Sequence, residues 1–240
     1  MSSSGGIRST TAEADGAAQS GFVNAVRVHG AITADLEKRL LIWISLRMPA
    51  GIKPDHLTGL GFAAQLMAGA AYALAVYDRR SLWFVNFFLA LNWFGDSLDG
   101  TLARVRNQQR PRYGFYVDHI ADTLGALVLM VGVACSGYVH WQIAAGMLAG
   151  FYIVSIESYL ATYTTGHFHL SHGIFGPTEI RILLATGNAI VFWRPLVHIA
   201  GRSALLFDAA GAVAIGTMLL IALAAALRHT GALYREETTE

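Results

Sequence analysis

The feature that most constrains this chain is a series of six apolar segments, each close to the length needed to cross a bilayer. A transmembrane helix needs about 20 apolar residues to span the hydrocarbon core. Hydrophobic residues make up 54% of the 240 residues and charged residues 14%, whereas a soluble domain carries about a quarter charged residues. We therefore predict an all-α integral membrane protein with six transmembrane helices, at residues 57–77, 82–103, 115–136, 139–162, 180–200 and 207–227.

An amphipathic segment precedes the first apolar run. Residues 32–48 combine an apolar stripe with charged positions, a pattern typical of a helix that lies in the membrane interface. Residues 1–30 are small and polar, without the apolar core of a signal peptide, and are predicted to be a flexible tail. We assign 31–230 to one membrane domain and 231–240 to a polar C-terminal tail.

The basic residues predict the orientation. With six spans both termini lie on the same side, and Lys and Arg are enriched on the cytoplasmic side of membrane proteins. The side opposite the termini carries only four basic residues, namely Arg79, Arg80, Arg194 and Arg202. Both termini and the loop 104–113 are therefore predicted to be cytoplasmic.

Composition also bears on the partners. The net charge is only +1, which indicates no nucleic-acid partner. Gly146 and Gly150 form a small-xxx-small face that lets helices approach closely. That face predicts either packing within the molecule or a homodimer contact.

Four aspartates form the most informative pattern. Asp96 and Asp99 are three residues apart, and Asp118 and Asp122 are four apart. On a helix, each pair lies on one face, one turn apart. The short connection between the two helices predicts that they are antiparallel neighbours. All four carboxylates are thus expected to converge at the cytoplasmic ends of the second and third spans.

Such a cluster needs cations. Unpaired carboxylates are costly to bury near lipid, and divalent ions would remove that cost. Oxygen ligands suit Mg²⁺, Mn²⁺ or Ca²⁺, and cytoplasmic availability favours Mg²⁺. A pair of such ions would clamp a pyrophosphate and neutralise charge on its leaving group.

The residues around the aspartates fit a phosphate ligand. Gly100, Ala103 and Gly114 keep bulky side chains away from the helix surfaces, and Arg104 offers a bidentate donor to phosphate. Three further arginines of the loop add positive potential, namely Arg106, Arg110 and Arg112.

At these positions the sequence resembles a known family. The pattern Asp96-x2-Asp99-Gly100-x2-Ala103-Arg104-x9-Gly114-x3-Asp118-x3-Asp122 is similar to the signature of class-I CDP-alcohol phosphotransferases, also named CDP-alcohol phosphatidyltransferases. The resemblance implies a membrane enzyme of phospholipid synthesis. Such an enzyme transfers a substituted phosphate from a CDP-alcohol donor to an acceptor alcohol or lipid, and releases CMP.

The resemblance also implies roles for individual residues. Asp96, Asp99, Asp118 and Asp122 would hold two ions of Mg²⁺ or Mn²⁺. Asp122 would also act as general base on the acceptor hydroxyl. The CDP group would be bound by Gly100, Ala103, Arg104 and Gly114.

A second likeness concerns the substrates. Thr162-Tyr163-Thr164-Thr165-Gly166, with Thr178 and Glu179 downstream, is similar to the choline and ethanolamine phosphotransferase branch, which uses CDP-choline or CDP-ethanolamine. The rival branch uses CDP-diacylglycerol and a small polar alcohol such as glycerol 3-phosphate, serine or inositol phosphate. Arg181 could then hold an acceptor phosphate.

Two other functions compete. An intramembrane prenyltransferase also uses aspartates and Mg²⁺, but its two motifs lie far apart in the chain. An ion-coupled transporter tends to place its sites at the bilayer midplane on discontinuous helices, whereas these aspartates lie at one end of two spans.

Several other polar residues are interpreted from their positions in the sequence. Glu157 within the fourth span is either functional or a hydrogen-bonded structural residue. Glu179 is interpreted as part of an acceptor site, in preference to a helix N-terminal acid. The cluster of His167, His169 and His172 matches no strong zinc pattern and is interpreted as an interfacial loop. Asp55 and Thr58 are interpreted as helix-capping residues, with a nucleotide contact as the alternative.

Overall fold

The computed structural model describes residues 34–165, 177–199 and 201–238. These residues form seven helices and one β-hairpin. The predicted tail at 1–30 lies outside the described residues, as do His167, His169 and His172. The elements in chain order are α1 (Ala34–Arg47), α2 (Pro54–Leu74), α3 (Ser81–Val105), α4 (Pro111–Cys135), α5 (Trp141–Thr165), α6 (Pro177–Trp193), β1 (Leu196–Ile199), β2 (Arg202–Leu205) and α7 (Leu206–Thr238).

Helices lie at all six positions predicted to span the membrane. Among the described residues, four are long and apolar enough to cross a membrane, namely α2, α4, α5 and α7. Helix α3 carries two aspartates and two asparagines, which lower its hydropathy. Helix α6 has only 17 residues, fewer than the 20 or so that a span needs. The structure thus supports a mostly helical membrane protein with four candidate spans.

The prediction of an all-α fold is wrong at residues 196–205. The predicted span 180–200 ends early, because α6 stops at Trp193 and Pro195 has no N–H to continue a helix. The chain then forms an antiparallel hairpin in which Ile199 pairs with Arg202. Gly201 lies in its turn with a φ of 78°, a conformation that glycine adopts without strain.

The C-terminal prediction is also corrected. Residues 231–238, predicted as part of a polar tail, continue α7 as helix up to Thr238. From Tyr234 to Thr238 the side chains are exposed. The helix therefore extends about three turns beyond the predicted end of the last span at residue 227.

Helix α2 lies at the centre of the site-bearing half of the molecule and packs against both α3 and α4. Glycines allow this approach. A Cβ atom at Gly95 of α3 would lie 2.6 Å from the backbone nitrogen of Gly61 on α2. At the other contact, a Cβ atom at Gly132 of α4 would overlap the backbone of Gly69 on α2. The helix backbones therefore touch directly.

We expect Gly95→Ala to lower the thermal stability of the protein, because its methyl group would force α2 and α3 apart. Overpacking of this kind typically costs about 1–3 kcal/mol. The matched control is Gly216→Ala on α7, where an added Cβ meets nothing within 4 Å. Melting temperatures in detergent would check the prediction, and equal values for the two variants would contradict it.

Two sets of contacts hold the remaining helices of this half. Leu41 of α1 is buried with Leu57, Leu98 and Leu102, which fixes α1 on α3. A polar chain fixes α6, since the Tyr72 hydroxyl donates to Asn188 Oδ1 at 2.8 Å. Asn188 Nδ2 in turn donates to Asn86 Oδ1 at 2.8 Å.

The small-xxx-small face of α5 packs within the molecule. A Cβ atom at Gly146 would lie 2.8 Å from Ile215, and one at Gly150 would lie 2.9 Å from Met218. Both partners belong to α7, so this face joins α5 to α7. The packing interpretation is confirmed, and the homodimer stays a prediction.

Candidate active site

The four aspartates of the motif line one pocket. Asp96 and Asp99 reach it from α3, whereas Asp118 and Asp122 reach it from α4. The remaining lining comes mostly from one face of α2 and consists of Thr58, Gly61, Phe62, Gln65, Asn92 and Ala121. The carboxylates therefore converge as the spacing of the motif predicts.

The helices reach this arrangement by a different route from the one predicted. Helices α3 and α4 were expected to be packed neighbours, but in the described part of the chain they share no extensive contact. Instead, α2 packs against both of them. The pocket occupies the space that this leaves between the two pairs of carboxylates.

Thr58 belongs to this pocket. Its hydroxyl donates to Asp99 Oδ2 at 2.6 Å, and the backbone N–H of Gly100 donates to Asp99 Oδ1 at 2.5 Å. The N-cap of α2 is Lys53, whose backbone N–H donates to His56 Nδ1 at 3.3 Å. The interpretation of Thr58 as a capping residue is therefore wrong.

Asp96 is held by an arginine from a distant helix. Arg181 on α6 donates through an Nη atom to Asp96 Oδ2 at 2.7 Å and through Nε to Asn92 Oδ1 at 2.8 Å. Asn92 is itself buried and donates to the Gly61 carbonyl at 2.9 Å. One cation of the protein thus already offsets part of the negative charge of the pocket.

The chemistry of the pocket fits a hard cation, although its carboxylates are not gathered around one point. In the described part of the chain, no three acidic, histidine or cysteine side chains are placed to hold an ion together. The atoms of the pocket that could bind a metal ion are carboxylate oxygens, with hydroxyl and amide oxygens beside them. These are the ligands that Mg²⁺ and Mn²⁺ prefer. Because the carboxylates are not gathered around one point, the metal-binding role of the four aspartates stays a prediction.

The residues assigned to the CDP group lie beside the pocket and toward the loop 106–110. Gly100 and Ala103 are half-buried on α3, and Gly114 is exposed at the start of α4. A Cβ atom at Gly114 would meet nothing within 4 Å. The exposed Arg104 side chain donates to the Thr101 hydroxyl at 3.0 Å. Their nucleotide-binding role is untested by these contacts.

Two arginines of the loop make structural contacts. Arg106 donates to the carbonyl oxygens of Met48, at 2.8 Å, and Ile52, at 2.5 Å. It thereby fastens the end of α1, where a cation is favourable. Arg110 forms an ion pair with Asp55, and this hydrogen bond raises the pKa of Arg110. Asp55 is thus the partner of a loop arginine, and the capping interpretation fails for it as well.

Two further acidic residues were candidates, Glu157 and Glu179. Glu157 forms a hydrogen bond with His229 of α7, with 2.6 Å between Glu157 Oε1 and His229 Nδ1. This supports the structural interpretation of Glu157, with a partner that was not predicted. Glu179 is half-buried in the first turn of α6, and its role in an acceptor site stays a prediction.

Comparison with known proteins decides the family. The sequence profile of the CDP-alcohol phosphatidyltransferases matches residues 52–226 of this chain, which include the whole aspartate motif. The chain belongs to the CDP-alcohol phosphatidyltransferase family. The resemblance seen in the motif is thereby confirmed.

Two relatives are similar over different extents. The archaetidylinositol phosphate synthase of Pyrococcus horikoshii is 32% identical over 105 residues, which cover 44% of this chain. The match spans about half of that relative, 53% of its length. The crystal structure of Mycobacterium tuberculosis phosphatidylinositol phosphate synthase (PgsA1) with CDP-DAG bound has 20% identity and a TM-score of 0.49. That comparison covers 82% of this chain and 92% of the mycobacterial one.

Proposed function

We propose that this protein is a metal-dependent CDP-alcohol phosphotransferase that moves a substituted phosphate from a CDP-alcohol to an acceptor alcohol and releases CMP. The observation that carries the proposal is the convergence of Asp96, Asp99, Asp118 and Asp122 on one pocket. Those four residues lie within residues 52–226, which match the family to which the chain belongs. Neither the prenyltransferase nor the transporter accounts for both facts.

The proposed reaction is an in-line displacement at phosphorus. The acceptor hydroxyl attacks the β-phosphorus of the CDP-alcohol, a new oxygen–phosphorus bond forms, and the bond to the CMP oxygen breaks. Asp122 takes the hydroxyl proton as the nucleophile develops charge. Positioning and charge neutralisation then supply most of the catalysis.

The proposed cofactor is a pair of divalent cations, Mg²⁺ or Mn²⁺. Asp96, Asp99, Asp118 and Asp122 would hold them. When bound, such ions neutralise the diphosphate and stabilise the charge that develops on the leaving CMP. The ion pair between Arg181 and Asp96 lies at the same pocket, where Arg181 would balance charge and offer a donor to an anionic acceptor.

Two sets of substrates each have a supporting observation. The similarity to a protein named archaetidylinositol phosphate synthase favours a lipid-linked CDP donor with an inositol phosphate acceptor, and Arg181 supplies a cation for such a phosphate. The segment 162–166 favours CDP-choline or CDP-ethanolamine instead. We place the first pair of substrates ahead, because Arg181 already reaches the pocket.

The same proposal includes a placement in the membrane. The pocket and both termini would face the cytoplasm, on the side where the basic residues are enriched. Helix α1 would lie in the interface, since Leu41 faces α3 while Leu40, Trp43 and Leu46 are exposed on its other side. Helices α3 and α6 would complete six membrane-spanning helices within the bundle.

A donor assay tests this function. We expect the purified protein to release CMP from one of three donors, CDP-diacylglycerol, CDP-choline or CDP-ethanolamine, and to leave prenyl diphosphates intact. Inositol phosphate, glycerol 3-phosphate, serine and diacylglycerol would serve as acceptors, and the labelled lipid would identify the pair. Excess EDTA should remove the activity, and added Mg²⁺ or Mn²⁺ should restore it.

The outcomes separate the candidates. CMP release that survives exhaustive chelation would contradict the metal requirement. Turnover of a prenyl diphosphate, without release of CMP from any donor, would overturn the proposed function in favour of the prenyltransferase.

A further inference from the structure

Glu37 makes contacts that its place in the sequence does not suggest. It lies on α1, where the next three side chains are exposed, yet Glu37 itself is half-buried. Its Oε1 atom accepts hydrogen bonds from Trp93 Nε1 at 2.9 Å and from the Ser97 hydroxyl at 3.2 Å. The Thr178 hydroxyl lies 3.2 Å from the same oxygen and 3.3 Å from Oε2.

The chemistry of these donors suits a carboxylate. An indole N–H can only donate, and an ionised carboxylate can only accept, with room for several hydrogen bonds. Hydrogen bonds to a charged acceptor are stronger than those between neutral groups. Glu37 therefore ties α1 to α3, through Trp93 and Ser97, and to α6, through Thr178.

These contacts involve residues that neighbour, along the helices, the ion pair between Arg181 and Asp96. Ser97 directly follows Asp96 on α3, and Trp93 directly follows Asn92, the other partner of Arg181. On α6, Thr178 precedes Arg181 by three residues, which places the two on one face of the helix. Two neighbouring links thus join α3 and α6. One runs through Glu37 of α1, and the other is made directly by Arg181 of α6.

We propose that Glu37 is a positioning residue that sets the first turn of α6 against α3 and so holds Arg181 at Asp96. This inference rests on the proposed function, because it assigns Arg181 to the working site. Among the described residues, the hydrogen-bond partners of Glu37 are Trp93, Ser97 and Thr178, so it would act on Arg181 through Thr178 and α3. The function of α1 would then include support of the active site as well as contact with the membrane surface.

A double-mutant cycle tests this role. Glu37→Ala is expected to lower kcat by about 10- to 100-fold, the loss typical of a group that orients active-site residues. Arg181→Gln is expected to lower activity as well. If Glu37 acts through Arg181, the double variant should match Arg181→Gln within about twofold, because residues that work as one unit are not additive. Glu37→Gln keeps an acceptor oxygen and should recover most of the activity, and Lys38→Ala is the exposed control on α1.

A second measurement does not depend on activity. Hydrogen exchange in nanodiscs should show faster exchange for residues 177–184 in Glu37→Ala than in the wild type, with α2 and α4 unchanged. Thr178→Val removes only the contact to α6 and should give the same local effect, which keeps the test open if Glu37→Ala does not fold.

The results distinguish this inference from the proposed function. Fully multiplicative losses in the double variant, wild-type activity of Arg181→Gln, or unchanged exchange at 177–184 would each overturn the role of Glu37. If the wild type turns over no CDP-alcohol, the proposed function fails, and the exchange experiment still tests the contact of Glu37 with α6.

Discussion

Asp122→Asn is expected to abolish turnover while leaving the binding of the CDP-alcohol partly intact. Asp122 lines the pocket from α4, opposite the aspartates of α3. An amide cannot accept the proton of the attacking hydroxyl, and general-base catalysis contributes about 100- to 10,000-fold. The amide keeps one oxygen that can still face a metal ion, so donor binding should fall less than kcat.

Single-turnover release of CMP and donor binding by calorimetry would measure the two effects separately. Asp208→Asn is the matched control, since it makes the same chemical change in the first turn of α7, beside His140 and away from the pocket. Near-wild-type turnover of Asp122→Asn would show that the base assignment is wrong.

Asp99→Ala is expected to lose metal and nucleotide together. Asp99 is fixed by Thr58 from α2 and by the backbone of Gly100, so its carboxylate has a defined position in the pocket. Removing it takes away a proposed ligand and leaves Thr58 only its longer hydrogen bond to the Pro54 carbonyl, at 3.3 Å. The loss of a metal ligand should then remove the charge that the diphosphate of the donor requires.

Binding of Mn²⁺, followed by electron paramagnetic resonance, gives a readout that needs no catalysis. We expect little Mn²⁺ binding by Asp99→Ala and wild-type binding by Asp208→Ala, which truncates an aspartate at the opposite end of the bundle. Unchanged Mn²⁺ binding by Asp99→Ala would remove Asp99 from the proposed ligand set.

The pocket itself was predictable from the sequence because the motif is local. Two pairs of aspartates at helical spacing, joined by a short loop, predict which helix faces carry the carboxylates of the pocket, although α2 and not direct packing brings α3 and α4 together. The partners of those aspartates were not predictable in this way. Thr58 is 41 residues from Asp99, and Arg181 is 85 residues from Asp96. Helical periodicity predicts the buried face of a helix, but not the helix that packs against it.

The same limit explains Glu37. In the sequence it is one of the charged positions of an amphipathic segment, and its contact with Thr178 bridges 141 residues. At the other end of the bundle, the prediction from hydropathy alone extended the fifth span to residue 200, whereas α6 ends at Trp193. Pro195 and Gly201 were the local signals that could have ended the helix and predicted a turn there.

The glycine contacts have a consequence for the shape of the active site. Because α3 and α4 each meet α2 backbone to backbone, the closest approach of the helices that carry the carboxylates is set by backbone contacts at glycine. Neutralising the acids, by cations or by mutation, should therefore leave the spacing of these helices unchanged. The helix backbones thus form a rigid scaffold, whose spacing limits the size of a ligand that fits between the two pairs of aspartates.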